Sequence, residues 1–266
     1  MRTVSAMSLS VAVAALLAAG CGSSTKTSTS TKDAGSVTTT TKPKPKPKVP
    51  GTGKTLVSEA KLKSALLTAR EAGAGWTLVV SDTSSGSAQP GPSTSKPANQ
   101  NGSPSLANVK TTPACKAVLK NFDLTTKVNK TVAKAVFAKA DRTSLAQTVV
   151  SSTSTRSQPA TDRAGISKCK NITVSTGLGQ QTLGLAALPL SKFGDDSLGI
   201  RLTVTAMGQG KKVTQNAYLV EIQRGNTVDV VVMADGVSPD GSVTPVQADR
   251  LAALARTADA KVAKVT

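Results

Sequence analysis

Three stretches of this 266-residue chain carry residue types that chemistry could use. Ser58 and Lys61 stand in the S-x-x-K spacing, in which a lysine amine can activate a serine nucleophile. "GDDSL" at 194–198 sets two carboxylates beside a serine, and "GTGKT" at 51–55 echoes the end of a phosphate-cradling loop. None of them closes into a site. No S-D-N or K-T-G partner accompanies Ser58, which reads better as a helix cap, and Lys48 occupies the place of the first glycine of a phosphate loop. The chain has no histidine, so Ser-His-Asp and Cys-His arrangements are excluded. Asp195 and Asp196 would point to opposite sides of an extended segment, which favours a solvated turn over a two-carboxylate centre. No catalytic residue, cofactor or metal is expected, and the chain reads as no enzyme.

Cysteine has a different use here. Cys115 and Cys169 are too far apart for a C-x-x-C redox pair, and a metal site would lack imidazole partners, so a disulfide between them is the expected use of two thiols in an oxidising compartment. Closing a loop of that size stabilises a fold by about 4 kcal/mol in the chain-entropy description. Cys21 stands apart, closing the apolar run Val11–Ala19 with small residues at Ala18, Ala19 and Gly20. That run is shorter than the ~20 apolar residues a spanning helix requires. It follows Arg2 and reads as an export signal over 1–20. "AAGC" resembles the lipobox of bacterial lipoproteins, with Ala18 where leucine is usual and Leu17 one place earlier. The resemblance implies cleavage before Cys21, a diacylglyceryl thioether on its sulfur and an acylated (palmitate-type) amine. Two or more chains hold a protein stably on a bilayer, whereas one is marginal. The expected location is the cell membrane, lipid-anchored on its extracytoplasmic face.

Residues 21–56 follow as a tether. "STKTSTSTK" and "TTTTKPKPKPKVPG" hold almost nothing apolar and cannot offset the entropy of ordering, so this segment is expected to be disordered, with a polyproline II run at "KPKPKPK". Charge is strongly basic throughout: 8 basic and 1 acidic residue over 1–56, 25 and 14 over the remainder, net +18. Such a chain is drawn to anionic lipid or acidic wall polymer. Nucleic acid is excluded as a partner because the only aromatics are Trp76, Phe122, Phe137, Phe193 and Tyr218, which build no stacking platform among the basic residues.

The elements of 57–266 predict one α+β domain. A first helix is expected from a Ser58 cap to Gly73, with Val57 and Leu62 as a staple and a stripe of Leu62, Ala65, Leu66 and Ala69. A strand at 75–81 leads into a Pro/Gly/Ser-rich mobile loop at 81–112. A short helical piece opens at Cys115, strands are expected in 133–141 and 144–153, and a helix across 158–168. "SLGIRLTVTAM" places Leu198, Ile200, Leu202, Val204 and Ala206 on one face. "AYLVEI", "QRGNT" and "VDVVVMA" form a hairpin with Gly225 and Asn226 able to take positive φ at the turn. A closing helix is expected from a Thr244, Pro245, Gln247 capping box, with Leu251, Leu254, Ala255, Ala258 and Val262 inward. Tight turns between strands, with helices at the two ends, imply an antiparallel sheet with N- and C-terminal helices packed on it.

The order "LLTAREAGAGWT", Cys115, Cys169, "LPLSKFGDDSLGIRLTV", "RGNTVDVVVMA" and a closing helix resembles the extracellular sensor domain of actinobacterial receptor serine/threonine kinases, over 57–266. The resemblance implies a compact α+β domain with a ligand cleft, for which Asp195, Asp196, Arg201 and Arg224 stand as candidate contacts. The chain differs in having two body cysteines where those sensors have two disulfides, and it carries no kinase. The function expected is a non-catalytic, membrane-anchored lipoprotein binding a small amphiphilic ligand or an envelope component. The alternative is an adhesion module held to acidic wall polymer by charge.

Overall fold

The computed structural model describes residues 55–85, 109–113, 115–116, 130–153, 158–169, 172–176, 179–208 and 211–266. The export signal, Cys21, nearly all of the tether, the centre of the 81–112 loop and most of the helical piece at Cys115 lie outside them. No helix among the described residues is long and apolar enough to cross a membrane.

Nine strands form one antiparallel sheet in the order β1-β3-β4-β9-β8-β7-β6-β5-β2. They are β1 (Thr77–Ser85), β2 (Val109–Lys110), β3 (Lys130–Ala138), β4 (Ser144–Ser152), β5 (Ile172–Thr176), β6 (Gly179–Leu188), β7 (Asp196–Gly208), β8 (Lys211–Arg224) and β9 (Thr227–Ala234). A small ribbon of β10 (Gly236–Val237) and β11 (Val243–Thr244) follows, and the helices are α1 (Glu59–Ser64), α2 (Ala69–Ala72), α3 (Gln158–Ile166) and α4 (Ala248–Val262). The expected α+β class with terminal helices on an antiparallel sheet holds.

The register explains why both faces need cover. Every residue of β9 is buried, as a continuous apolar run in mid-sheet requires. Val231 and Met233 face one way with Val220, Ile222, Leu145 and Phe137, against Leu62 of α1, Leu66 of the segment that follows it, and Leu251 and Leu254 of α4. We call this face one. Val228, Val230 and Val232 face the other way with Leu219, Ile200, Val204 and Leu183, under Ile166 of α3. This second core also holds the buried disulfide Cys115–Cys169, with Cα atoms 4.9 Å apart. Alternation on β7 is as expected: Leu198, Ile200, Val204 and Ala206 are buried and Leu202 is half-buried on face two.

Four expectations are corrected. The first helix is broken in two: α1 ends at Ser64 and Thr68 caps α2 in a capping box with Glu71, while Ser58 makes no side-chain cap bond. The cause is Gln147 on β4, whose Oε1 accepts the Leu67 N–H at 2.6 Å and whose Nε2 donates to the Ala65 carbonyl at 3.3 Å. These bonds hold the linker open and leave Ala69 exposed rather than on the buried stripe. The last helix starts at Ala248, three residues after the expected N1, because Thr244 pairs with Gly236 in the ribbon and Asp235 Oδ1 accepts the Val246 N–H at 2.9 Å. At the β8–β9 turn only Gly225 takes positive φ (53°); Asn226 does not. Residues 81–85 and 109–110, placed in the loop by composition, are strand residues paired to β3 and β5.

Replacing Gln147 by leucine leaves the Leu67 N–H and the buried Asp229 carboxylate without their partner. Stability should fall by about 3 kcal/mol in urea unfolding at pH 7, with an unchanged m-value. A loss under 1 kcal/mol would contradict this role for the amide.

Candidate functional site

The helical layer does not reach across face one. α1 packs on β1, β3 and β4, and α4 on β8 and β9, so β7 and β6 lie beyond its edge. The face-one residues there are Arg201 and Thr203 of β7, flanked by Gly184 and Ala186 of β6 and by Asn216 and Tyr218 of β8. Arg201 is exposed and the others are half-buried. Arg201 makes no ion pair or hydrogen bond among the described residues. Polar groups continue along the strip: Thr203 Oγ1 donates to Asn216 Oδ1 at 3.0 Å, Thr205 and Thr214 hydroxyls meet at 3.2 Å, and Asn216 Nδ2 donates to Asp235 Oδ2 at 3.1 Å. At one end Leu190 crosses over Gly199, where any side chain would collide with it.

The strip therefore combines one unspent guanidinium, hydroxyl and amide groups, an aromatic edge and a floor of small residues. It can hold an anionic or hydroxyl-bearing group by hydrogen bonds. The described residues contain no cluster of Cys, Asp or Glu able to hold a metal ion.

The structure does not bring the four candidate contacts together. Arg224 is committed to Asp259 of α4 through two parallel bonds, Nε–Oδ1 2.6 Å and Nη2–Oδ2 2.9 Å. Hydrogen bonding to Asp259 raises the guanidinium pKa, burial opposing it. Asp195 Oδ2 accepts the Gly225 N–H at 2.7 Å, and Gly194 N–H reaches Asp259 Oδ2 at 3.3 Å. These residues tie the 189–195 loop, the β8–β9 turn and α4 into one closed knot. Asp196 pairs with Arg163 of α3 at 3.1 Å and caps the Ser197 N–H, on the far side from Asp195. Asp195 and Arg201 are exposed, and of the four only Arg201 makes no ion pair or hydrogen bond among the described residues. Asp259, Tyr218 and Asn216, which complete the knot and the strip, were missed by sequence reasoning; only the register of β7 against β8 could have found the last two.

Asp229, Glu221 and Asp162 of α3 are buried carboxylates outside this strip. Asp229 on β9 is fully enclosed on face one, both its oxygens within 3.2 Å of Gln147 Nε2; burial pushes its pKa up to about 7, against the pull of that bond. Glu221 on β8 is buried on face two.

No family model matches this sequence, and no curated protein matches it. Among solved structures the chain is similar to the extracellular domain of PknH from Mycobacterium tuberculosis, with a TM-score of 0.51, 14% identity, and coverage of 80% of this chain and 100% of that one. The two share a fold. An uncharacterised protein from Mycobacterium smegmatis, the Rv0999 ortholog, aligns with a TM-score of 0.45 and 15% identity over 80% of this chain and 99% of its own. The α+β topology expected from the sequence resemblance is thus the topology found.

Truncating Arg224 and Arg201 separates knot from strip. Arg224→Ala should cost about 1–2 kcal/mol in thermal or urea unfolding, since it leaves Asp259 half-enclosed without its cation, whereas Arg201→Ala should stay within about 0.5 kcal/mol of the parent. Equal losses would contradict the assignment.

Proposed function

We propose that this protein is a non-catalytic, extracytoplasmic lipoprotein, moored to the cell membrane by acyl chains on Cys21 with residues 21–56 as a spacer. Its domain, 57–266, holds a small amphiphilic ligand or envelope fragment on the uncovered strip of face one. The observation that carries the reading is Arg201, an exposed cation without a partner on a sheet face otherwise closed by helices. The disulfide supports an oxidising compartment. The likeness of fold to an extracellular domain agrees with it.

A second reading, adhesion to acidic wall polymer, has its own support. Asp162, Glu221, Asp229 and Asp235 are all interior, so the surface is more basic than the composition states. The two readings differ in salt dependence and in stoichiometry.

Two measurements test the proposal. Cys21→Ser should abolish palmitate incorporation and shift the chain from the membrane to the soluble fraction; unchanged label would refute the anchor. The Cys21→Ser chain, titrated with lipid and wall extracts, should gain several degrees in Tm at physiological salt, and Arg201→Glu should lose that gain. Retention on purified wall that collapses with salt, with no Tm shift, would select the adhesion reading instead.

A further inference from the structure

Glu221 has an environment that a structural residue does not need. It lies near the middle of the sheet on face two, 2% exposed, and its Oε2 has no hydrogen-bond partner among the described residues. The register sets it opposite Leu198 of β7 and Val230 of β9, with Asp196 its diagonal neighbour on the same face. Above it lies α3, where Asp162 and Ile166, one turn apart, both face inward; Asp162 is 1% exposed and Ile166 packs among Leu198 and Leu219. Among the described residues, the cations of α3 and its C-terminal end are committed or exposed. Arg163 is turned outward and spends its guanidinium on Asp196 Oδ1 (3.1 Å) and the Ser197 carbonyl (2.6 Å), and Lys168 is exposed beyond the helix end. On this face Asp196 is the one charged residue that β9, β7 and β6 present among the described residues, and the flanking β8 residues Leu219 and Gln223 are neutral. The helix that covers the second core therefore brings a carboxylate down onto another carboxylate.

We propose that Glu221 is a proton-binding group that locks α3 onto face two: with its proton on, α3 stays docked, and its ionisation against Asp162 lets α3 lift away. Cys169, just beyond α3 and bonded to Cys115, keeps the lifted segment attached, so the change is an opening and not a loss of the element. This inference goes beyond ligand binding and stands whether or not face one holds a ligand.

The sign follows from linkage. Burial first, then the charges of Asp162 and Asp196, push the Glu221 pKa from 4.5 up to about 8. With α3 lifted the carboxyl returns toward its ordinary value. Between those two limits opening must release a proton, so the docked-to-open ratio is greatest at low pH and falls about tenfold per pH unit as pH rises, on the order of a thousandfold in all, and is level outside the window.

Hydrogen exchange on the full chain with its disulfide intact tests this, read from pH 5 to 8 and corrected for the intrinsic pH dependence of exchange. Protection of the α3 amides should fall by about tenfold per pH unit relative to the α4 amides, and in Glu221→Gln that slope should vanish. Asp162→Asn, which removes the nearest opposing charge, should keep the slope at low pH but end it before pH 8. A slope shared by the parent and Glu221→Gln, no slope in the parent, or an Asp162→Asn profile identical to the parent would overturn the proposal.

Discussion

The β8–β9 hairpin is buried on both faces, and the rest of the domain is arranged to satisfy that constraint. A strand reading "TVDVVVMA" exposes apolar side chains in both directions, each worth roughly 1.5–3 kcal/mol if removed from water. One layer of cover is not enough. The chain therefore sends its terminal helices to face one and its middle segment, α3 and the disulfide, to face two. Leu62, Leu251 and Leu254 close one side, while Ile166, Cys115 and Cys169 close the other.

Hydrophobic burial does not choose where each cover sits; a few buried polar groups do. Gln147 reaches from β4 to the α1–α2 linker and to Asp229. Asp235 gathers the Asn216 N–H, the Asn216 amide and the Val246 N–H, setting where α4 begins. Asp259 fixes the other end of α4 through Arg224. Each bond adds only about 1 kcal/mol net, but leaving any of these groups buried and unpaired costs more, so alternative positions of the helices are penalised. Because α4 is pinned over β8 and β9, β7 and β6 stay open on face one, and that is how the strip around Arg201 arises. Face two holds one exception, since Glu221 is buried there with its Oε2 lacking a hydrogen-bond partner among the described residues.

Much of the architecture was legible because period carries it. The alternation of β7, the position of the "RGNT" turn and the inward stripe of α4 rest on spacing within one segment, and they match the structure. Where a distant group decides, spacing fails. The break at Leu66–Thr68 is made by a glutamine 80 residues later, although Thr68 and Glu71 already stood at capping-box spacing. The start of α4 is set by Asp235 and the ribbon, not by Thr244. β5 and β6 escaped notice because Gly, Gln and Thr interrupt their apolar pattern. In the candidate site, Arg201 was visible as a polar residue on the outer face of an alternating strand. The engagement of Arg224 with Asp259, 35 residues away, was not.

Native-state hydrogen exchange across the sheet is the most direct measurement of the central claim. If the doubly covered hairpin is what the fold depends on, the amides of β9 and of the adjoining half of β8 exchange last, and their opening free energy equals the global value from urea unfolding. If β9 opens at a lower free energy than the outer strands β6 or β3, the hairpin is not the keystone and the account is wrong.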